Sequence, residues 1–448
     1  MTYLNFRYEL EPRGDYAFID MKSFYASCEL LARNKDPLHD LLIVMSTTDN
    51  SSGLILSSSP MAKKRLGIKN VDRKWDLPDP AQNPYMKELM IVAPRMRYYI
   101  AKNLEIQNVI RNYAADEDIL WYSIDEGIVD LSHSLNYFVP GNAARTEKLN
   151  RLSQKIQQAI YRQTGIFSTV GMSNSNPLLA KLALDNEAKH NKCMRALWNY
   201  ENVSQKVWHI PEMTDFWGIG QRTKKRLNLL GITSIEELAH ASPELLHQKL
   251  GIVGLQLYHH ANGIDRTKIQ ERYIPKNKNV GNSQILPRDY QKEEIQVVIR
   301  EMAEQVAIRL RRRKAQATTV HLYLAFSKYE QQPAFSHQMK ISPTDSTQQL
   351  TDHLLYLFHK YYQGGLIRQI GVTYANLTYQ NGMQLNLFED IDQQIKKAQL
   401  DRITDQIREK YGFTSIVHAS SKLDYARSIK RAGLVGGHAG GAGGLDGL

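Results

Sequence analysis

Residues 118–131 read DILWYSIDEGIVDL, two apolar runs on either side of Asp125-Glu126-Gly127. Short runs rich in Ile, Leu, Trp and Val, broken by an acidic step and a glycine, predict a β-hairpin. Well upstream, residues 16–20 (YAFID) read as a buried strand ending in an acid, inside the longer stretch FIDMKSFYASCE at 18–29. Asp20, Asp125 and Glu126 therefore stand where strands end. Carboxylates grouped in this way can hold two divalent cations, which in-line transfer at a phosphate needs. Adjacent residues of an extended strand point to opposite faces. Asp125 and Glu126 thus converge only if a turn lies between or beside them, and Gly127 permits one. The main-chain carbonyl of Met21 offers a further hard oxygen, as magnesium prefers.

At 448 residues the chain predicts three or four modules. Its 42% hydrophobic and 23% charged residues are those of a soluble globular protein. A net charge of +11 favours a polyanionic partner without choosing among nucleic acid, anionic membrane and simple solubility. Two cysteines, Cys28 and Cys193, cannot build a disulfide framework or a thiolate metal site, which fits a reducing compartment. The N-terminal MTYLNFRYELEPRGDY has no apolar core of a secretory signal, and runs such as 41–45 are too short to span a bilayer. A soluble intracellular protein without a membrane partner is expected.

Along the chain, helices are expected at 23–32, 85–113, 145–163 and 178–190, and strands at 41–45, 53–56 and 167–172. Ser59-Pro60 opens another helix and Gly67 ends it; 76–84 reads as loop. Residues 217–220 (WGIG) lead into QRTKKRLNLLG, and a looser version, LGIVGLQLYHHAN, follows at 250–262. Two helices joined by a Gly-x-Gly turn, here Gly218 and Gly220, expose backbone N–H groups that bind phosphate without reading a base. Residues 266–280 read as a linker, and 281–382 as an α/β module with strands at 318–326 and 371–379. The region past 384 reads as a polar helix, a Ser-containing stretch and a glycine-rich end, GGHAGGAGG, expected to be disordered.

Several side chains could serve the carboxylates. Phe24 and Tyr25 follow Asp20 by one helical turn; Phe24 reads as core, and Tyr25 as a ring to stack under a sugar and exclude a 2′-hydroxyl. Lys63, Lys64 and Arg65 in SPMAKKRLGI, and Lys181 and Lys189 in LLAKLALDNEAK, form two basic clusters suited to a triphosphate. Residues 309–314 (RLRRRK) contribute Arg309, Arg311, Arg312, Arg313 and Lys314, read as a phosphate-tracking stripe. In QLNLF, at 384–388, Gln384, Leu385, Leu387 and Phe388 place large apolar side chains on a polar linker, an anchor for a partner pocket.

Taken together, IDMKSFYASCE, YSIDEG, GMSNSNPLLAKLALDNEAK, the Gly-Ile-Gly turn and VGNSQILPRDY resemble, in order, the Y-family of translesion DNA polymerases in its bacterial UmuC-like branch. The resemblance spans residues 15 to about 390. It implies an α+β right-hand fold: palm at 1–22 and 89–197, fingers at 23–88, a helix-hairpin-helix thumb at 198–265, a linker at 266–280, a little finger at 281–382 and a tail at 383–448. It further implies Asp20, Met21, Asp125 and Glu126 as ligands of two Mg2+ ions (Mn2+ as a substitute), and Tyr25 as steric gate. Lys189 would hold the dNTP triphosphate with Lys181 close by, and QLNLF would bind the sliding clamp. The implied activity is low-fidelity, template-directed addition of dNTPs to a primer 3′ end on primer-template DNA. The implied setting is an SOS-type damage response in a bacterial cytoplasm, at the nucleoid, with accessory proteins of that response as partners. One departure stands out: SPMAKKRLGI lacks the Tyr usual in the fingers and has Lys where Arg is usual. Spacing to Gly67 points to Lys64 and the Ala-Lys pairing to Lys63. An idle, clamp-recruited DNA-binding scaffold is the alternative, but such a scaffold has no need of the carboxylates.

Overall fold

The computed structural model describes residues 6–46, 53–271, 273–275, 278–379, 390–435 and 438–439. It divides into one unit of residues 1–93 and 98–272 and a second of 94–97 and 273–448.

In the first unit the apolar run after Asp15 forms β1 (Tyr16–Met21), followed by α1 (Phe24–Leu31), β2 (Leu42–Met45), β3 (Ile55–Ser58) and α2 (Pro60–Leu66). The start of α2 is built as its sequence demands: Ser59 Oγ accepts from Ala62 N, Pro60 sits at the first position, and Gly67 closes the helix at φ +66°. Next come β4 (Met90–Val92), α3 (Met96–Ile110), β5 (Ile119–Trp121), β6 (Glu126–Asp130), α4 (Leu135–Phe138) and α5 (Arg145–Thr164). The expected helix over 85–113 is therefore interrupted. Met90-Ile91-Val92 pairs in parallel with β2, and Pro94 separates that strand from α3. A three-residue strand acquires its identity from a distant partner, which local pattern does not contain.

β7 (Ser168–Ser173), α6 (Pro177–Asn186) and β8 (Arg195–Leu197) complete a five-stranded sheet in the order β5-β6-β1-β7-β8. α6 lies directly on β7, because a Cβ at Gly171 would stand 2.0 Å from the carbonyl oxygen of Ala180. The helix expected over 178–190 breaks at Glu187, and Ala188–His190 is a separate 3-10 turn. β3, β2 and β4 form a second, small sheet. Four helices, α7 (Gln221–Asn228), α8 (Ile235–Ala239), α9 (Pro243–Leu250) and α10 (Ile252–Ala261), follow. Leu227, Leu238, Leu246 and Leu257 from these helices share one apolar core with Phe18, Leu178 and Leu182.

The second unit is built on β9 (Asn279–Tyr290), α11 (Lys292–Arg312), β10 (Ala317–Phe326), β11 (Phe335–Thr344), α12 (Thr347–Tyr361) and β12 (Ile367–Ala375). β9 begins inside the expected linker. The sheet is antiparallel in the order β11-β10-β12-β9, and its apolar residues, Val320, Leu322 and Leu324 among them, share a core with α11 and α12. Beyond it, α13 (Ile391–Tyr411) and α14 (Ser428–Ala432) fold back onto α11. Phe413 and Ala432 pack with Ile308, Arg408 pairs with Glu304 at 2.9 Å, and the Glu301 carboxylate accepts from Ser428 N and Oγ. Burial alone would raise the Glu304 carboxyl, but its hydrogen bond to His418 and the Arg408 charge outweigh it and hold the group below its ordinary range. Of the glycine-rich end, His438 and Ala439 are described and pair with Leu434 and Val435; the rest lies outside the described residues. No helix among the described residues is long and apolar enough to cross a membrane.

Candidate active site

The sheet register brings the carboxylates together. Asp20, at the end of β1, is the direct cross-strand partner of Glu126, the first residue of β6. Asp125 stands one residue before that strand, and its carbonyl accepts from Met21 N at 2.8 Å. The turn expected at this point is real but lies on the other side of the acids. Tyr122 N and Ser123 N both donate to Glu126 O, at 3.0 and 3.1 Å, while Gly127 is an ordinary strand residue. What Gly127 provides is room, since its Cβ would stand 3.0 Å from the Trp121 ring. Ser123 Oγ donates to Asp125 Oδ1 at 2.6 Å and orients that carboxylate.

Asp20, Met21 and Asp125 open into a cleft of about 940 Å³ that Tyr25, Lys63 and Lys189 also line, while Glu126 is outside its lining. Burial pushes the Asp20 carboxyl up to about 7; the Lys189 charge opposes the shift, and Asp125 and Glu126 add to it. Among the described residues no group of three or more His, Cys, Asp or Glu side chains forms a metal cage by itself. The donor set nevertheless fits a hard divalent cation: oxygen ligands only, with an excess of negative charge that an ion relieves.

Two lysines answer that charge differently. Lys181, on α6, is buried with its Nζ 2.9 Å from Glu126 Oε2 and over the Phe18 ring. It lies beneath the carboxylates and outside the cleft lining. Lys189, on the 3-10 turn, lines the cleft, with Nζ 3.8 Å from Asp20 Oδ2 and 2.8 Å from Asp185 Oδ1. Asp185 holds both lysines, at i,i+4 spacing on either side, and was missed in the sequence although Lys181-Asp185-Lys189 carries that signal.

Phe24 is core, 2% exposed, and Tyr25 stacks on Tyr99 with ring centroids 4.4 Å apart and an angle of 15°. Tyr99 is itself buried and donates to Glu29 Oε1 at 2.9 Å. No pattern in the sequence marks Tyr99, because it comes from α3, far along the chain. Tyr25 lines the same cleft as Asp20 and Asp125, and burial, with the Asp125 charge after it, raises its hydroxyl above the ordinary range. On α2, Lys63 and Lys64 both line the cleft. Desolvation against the cleft wall lowers the Lys63 ammonium, an effect that Lys22 and Lys189 reinforce and Asp20 opposes.

Residues 19–185, which carry the three carboxylates, Tyr25, Lys63 and Lys181, match the impB/mucB/samB family, and residues 277–387 match its C-terminal domain. A protein of Bacillus subtilis (strain 168) provisionally named UV-damage repair protein UvrX is 36% identical over 96% of this chain and 99% of its own length. The chain belongs to the impB/mucB/samB family. DNA polymerase IV 2 of the same organism is 33% identical over 94% of this chain and 97% of its own. Among solved structures, a Y-family DNA polymerase chimera superposes with a TM-score of 0.62 at 21% identity, covering 82% of this chain and 100% of the chimera, and shares its α+β fold.

The remaining expected positions of this impB/mucB/samB chain are distributed unevenly. Gly218 adopts φ +101°, which favours glycine, and Gly220 caps α7 with no side chain over it and nothing within 4 Å of a Cβ. The element before that turn is one 3-10 turn, Met213–Asp215, rather than a helix. The second version is a true helix pair: Gly254 lets α10 approach α9, where a Cβ would stand 2.3 Å from Leu246 O. The basic run 309–314 does not form one stripe. Arg311 is buried against Asp405 at 2.6 Å and Asp401 at 3.4 Å, Arg312 faces Glu409 at 3.6 Å, and Arg309 donates to Gly281 O. Acids of α13, too distant in sequence to be paired by inspection, take Arg311 and Arg312, and Arg313 and Lys314 stay exposed. Gln384, Leu385, Leu387 and Phe388 lie outside the described residues.

Proposed function

We propose that this chain, a DNA-directed DNA polymerase, extends primer 3′ ends past damaged template bases by two-metal phosphoryl transfer, with low fidelity. The observation that carries the reading is that Asp20 and Asp125 line one cleft together with Lys63, Lys64 and Lys189, with Glu126 held beside Asp20 as its cross-strand partner. Asp20, Asp125, Glu126 and the Met21 carbonyl would hold two Mg2+ ions, completed by substrate phosphates, as magnesium sites usually are. Bound there, the ions would lower the pKa of the primer hydroxyl and neutralise charge developing on the phosphate.

The protein side chains do the rest. Lys189 would hold the triphosphate together with Lys63 or Lys64, all three of which line the cleft. Lys181 would hold Glu126 in place through their 2.9 Å ion pair. Tyr25, braced by Tyr99, would lie under the sugar. Residues 1–22 and 89–197 would be the palm, 23–88 the fingers, 198–265 the thumb and 281–382 the little finger, gripping primer-template DNA largely by phosphate contacts. On undamaged primed DNA with Mg2+, each template base should direct addition of its complementary dNTP. Tight DNA binding with no addition would sink the polymerase reading and leave a scaffold.

QLNLF is proposed to bind the sliding clamp, two apolar side chains filling a pocket. Leu387→Ala with Phe388→Ala should remove clamp stimulation of synthesis while synthesis without clamp persists. Undiminished stimulation would end that assignment.

A further inference from the structure

The loop at residues 69–76, beside α2, presents apolar surface where a fold has no use for it. Val71 is β-branched yet held at φ +69°, a region such side chains avoid, and it is 73% exposed. Three backbone hydrogen bonds impose the strain: Val71 N to Ile55 O, Ile55 N to Asp72 O, and Lys74 N to Gly53 O, at 3.0, 2.8 and 3.0 Å. Trp75 is 61% exposed, and the Arg73 guanidinium lies 5.8 Å from its ring centroid. Neither Val71 nor Trp75 belongs to the apolar cluster of Leu66, Ile68 and Leu77 beneath.

Around this pair the charge is mainly positive, from Lys64, Arg65, Lys69, Arg73 and Lys74. The nearby acids are engaged locally, Asp72 accepting from Lys69 N and Asp76 from Arg73 N. The loop adjoins the cleft, because Asn70 is part of its lining. A flat ring backed by a guanidinium, beside basic side chains and next to the cleft, suits a nucleobase on a phosphate strand. A protein partner would find little apolar area here and much charge.

We propose that Trp75, with Val71 and Arg73, forms a stacking platform for an unpaired base of the single-stranded template entering the cleft. The assignment of the strand as template rests on the polymerase reading; the stacking does not. The test is equilibrium binding of full-length Trp75→Leu to two primer-templates, one with a long 5′ template overhang and one with a single-nucleotide overhang. Stacking contributes ~1–3 kcal/mol per base, so affinity for the long overhang should fall about tenfold while that for the short overhang stays at the wild-type value. Trp75→Phe, which keeps a stacking ring, should restore most of the loss. Equal affinity of Trp75→Leu and wild type for the long overhang overturns the platform. Equal loss on both substrates overturns it too, since the residue would then serve the duplex or the fold. If wild type extends no primer yet the overhang effect holds, the polymerase reading falls and the platform stands.

Discussion

Asp125→Ala combined with Glu126→Ala is expected to lower templated addition roughly a thousandfold or more, about 4 kcal/mol of barrier. Removing both leaves Asp20 as the lone carboxylate of the group, too little charge to position two cations. The two single variants should differ in a second respect. Asp125 is half-buried and its side chain bonds locally, to Ser123, so Asp125→Ala should melt close to wild type. Glu126 is the closest partner of Lys181, whose side chain is 7% exposed, and Asp185 is the remaining acid within reach. Breaking a buried pair costs ~3–5 kcal/mol when nothing replaces the lost partner; with Asp185 present, Glu126→Ala should fall below that range. Glu126→Gln keeps a hydrogen-bond acceptor and separates the two effects. Primer extension paired with thermal melting reads both, and full activity in the double variant would remove the carboxylates from the chemistry.

Tyr25→Ala should admit ribonucleotides. A pocket that rejects an added hydroxyl by contact discriminates on the order of a hundredfold, about 2.7 kcal/mol, and the variant should lose most of that. The ring acts as a barrier because it cannot yield: Tyr99 backs it at 4.4 Å and is itself tied to Glu29. Tyr99→Leu should therefore reduce discrimination partially, with Tyr25 still present, by freeing the gate to tilt. Single-nucleotide incorporation of matched dNTP and rNTP measures both variants. Unchanged selectivity in Tyr25→Ala would transfer the gate to another residue.

The site was legible where chemistry and local pattern coincide. An acid ending the strand of residues 16–20, an acidic pair between two apolar runs, and a Ser-Pro start closed by Gly67 are each visible in a few residues, and each appears where expected. Lys181 was legible as a residue but not as a role: the sequence placed it beside Lys189, and the fold buries it under Glu126. β4 was read as helix because its partner β2 lies far back along the chain. The run 309–314 reads in sequence as a phosphate-tracking stripe because α13, which supplies Asp401 and Asp405 to Arg311, lies some ninety residues later.

The sequence by itself determined which carboxylates stand at strand ends and, through the order of its motifs, the family and the α+β class, because strand ends, caps and acidic steps are encoded within a helical turn or a hairpin. Tertiary structure alone decided which charges stay available to a ligand. Whether Lys189 reaches the cleft, Arg311 is consumed, or Tyr25 is rigid depends on which distant side chain arrives beside it. The strength of a charge or a stack depends on separation and burial in space, and neither is a property of neighbours in the chain.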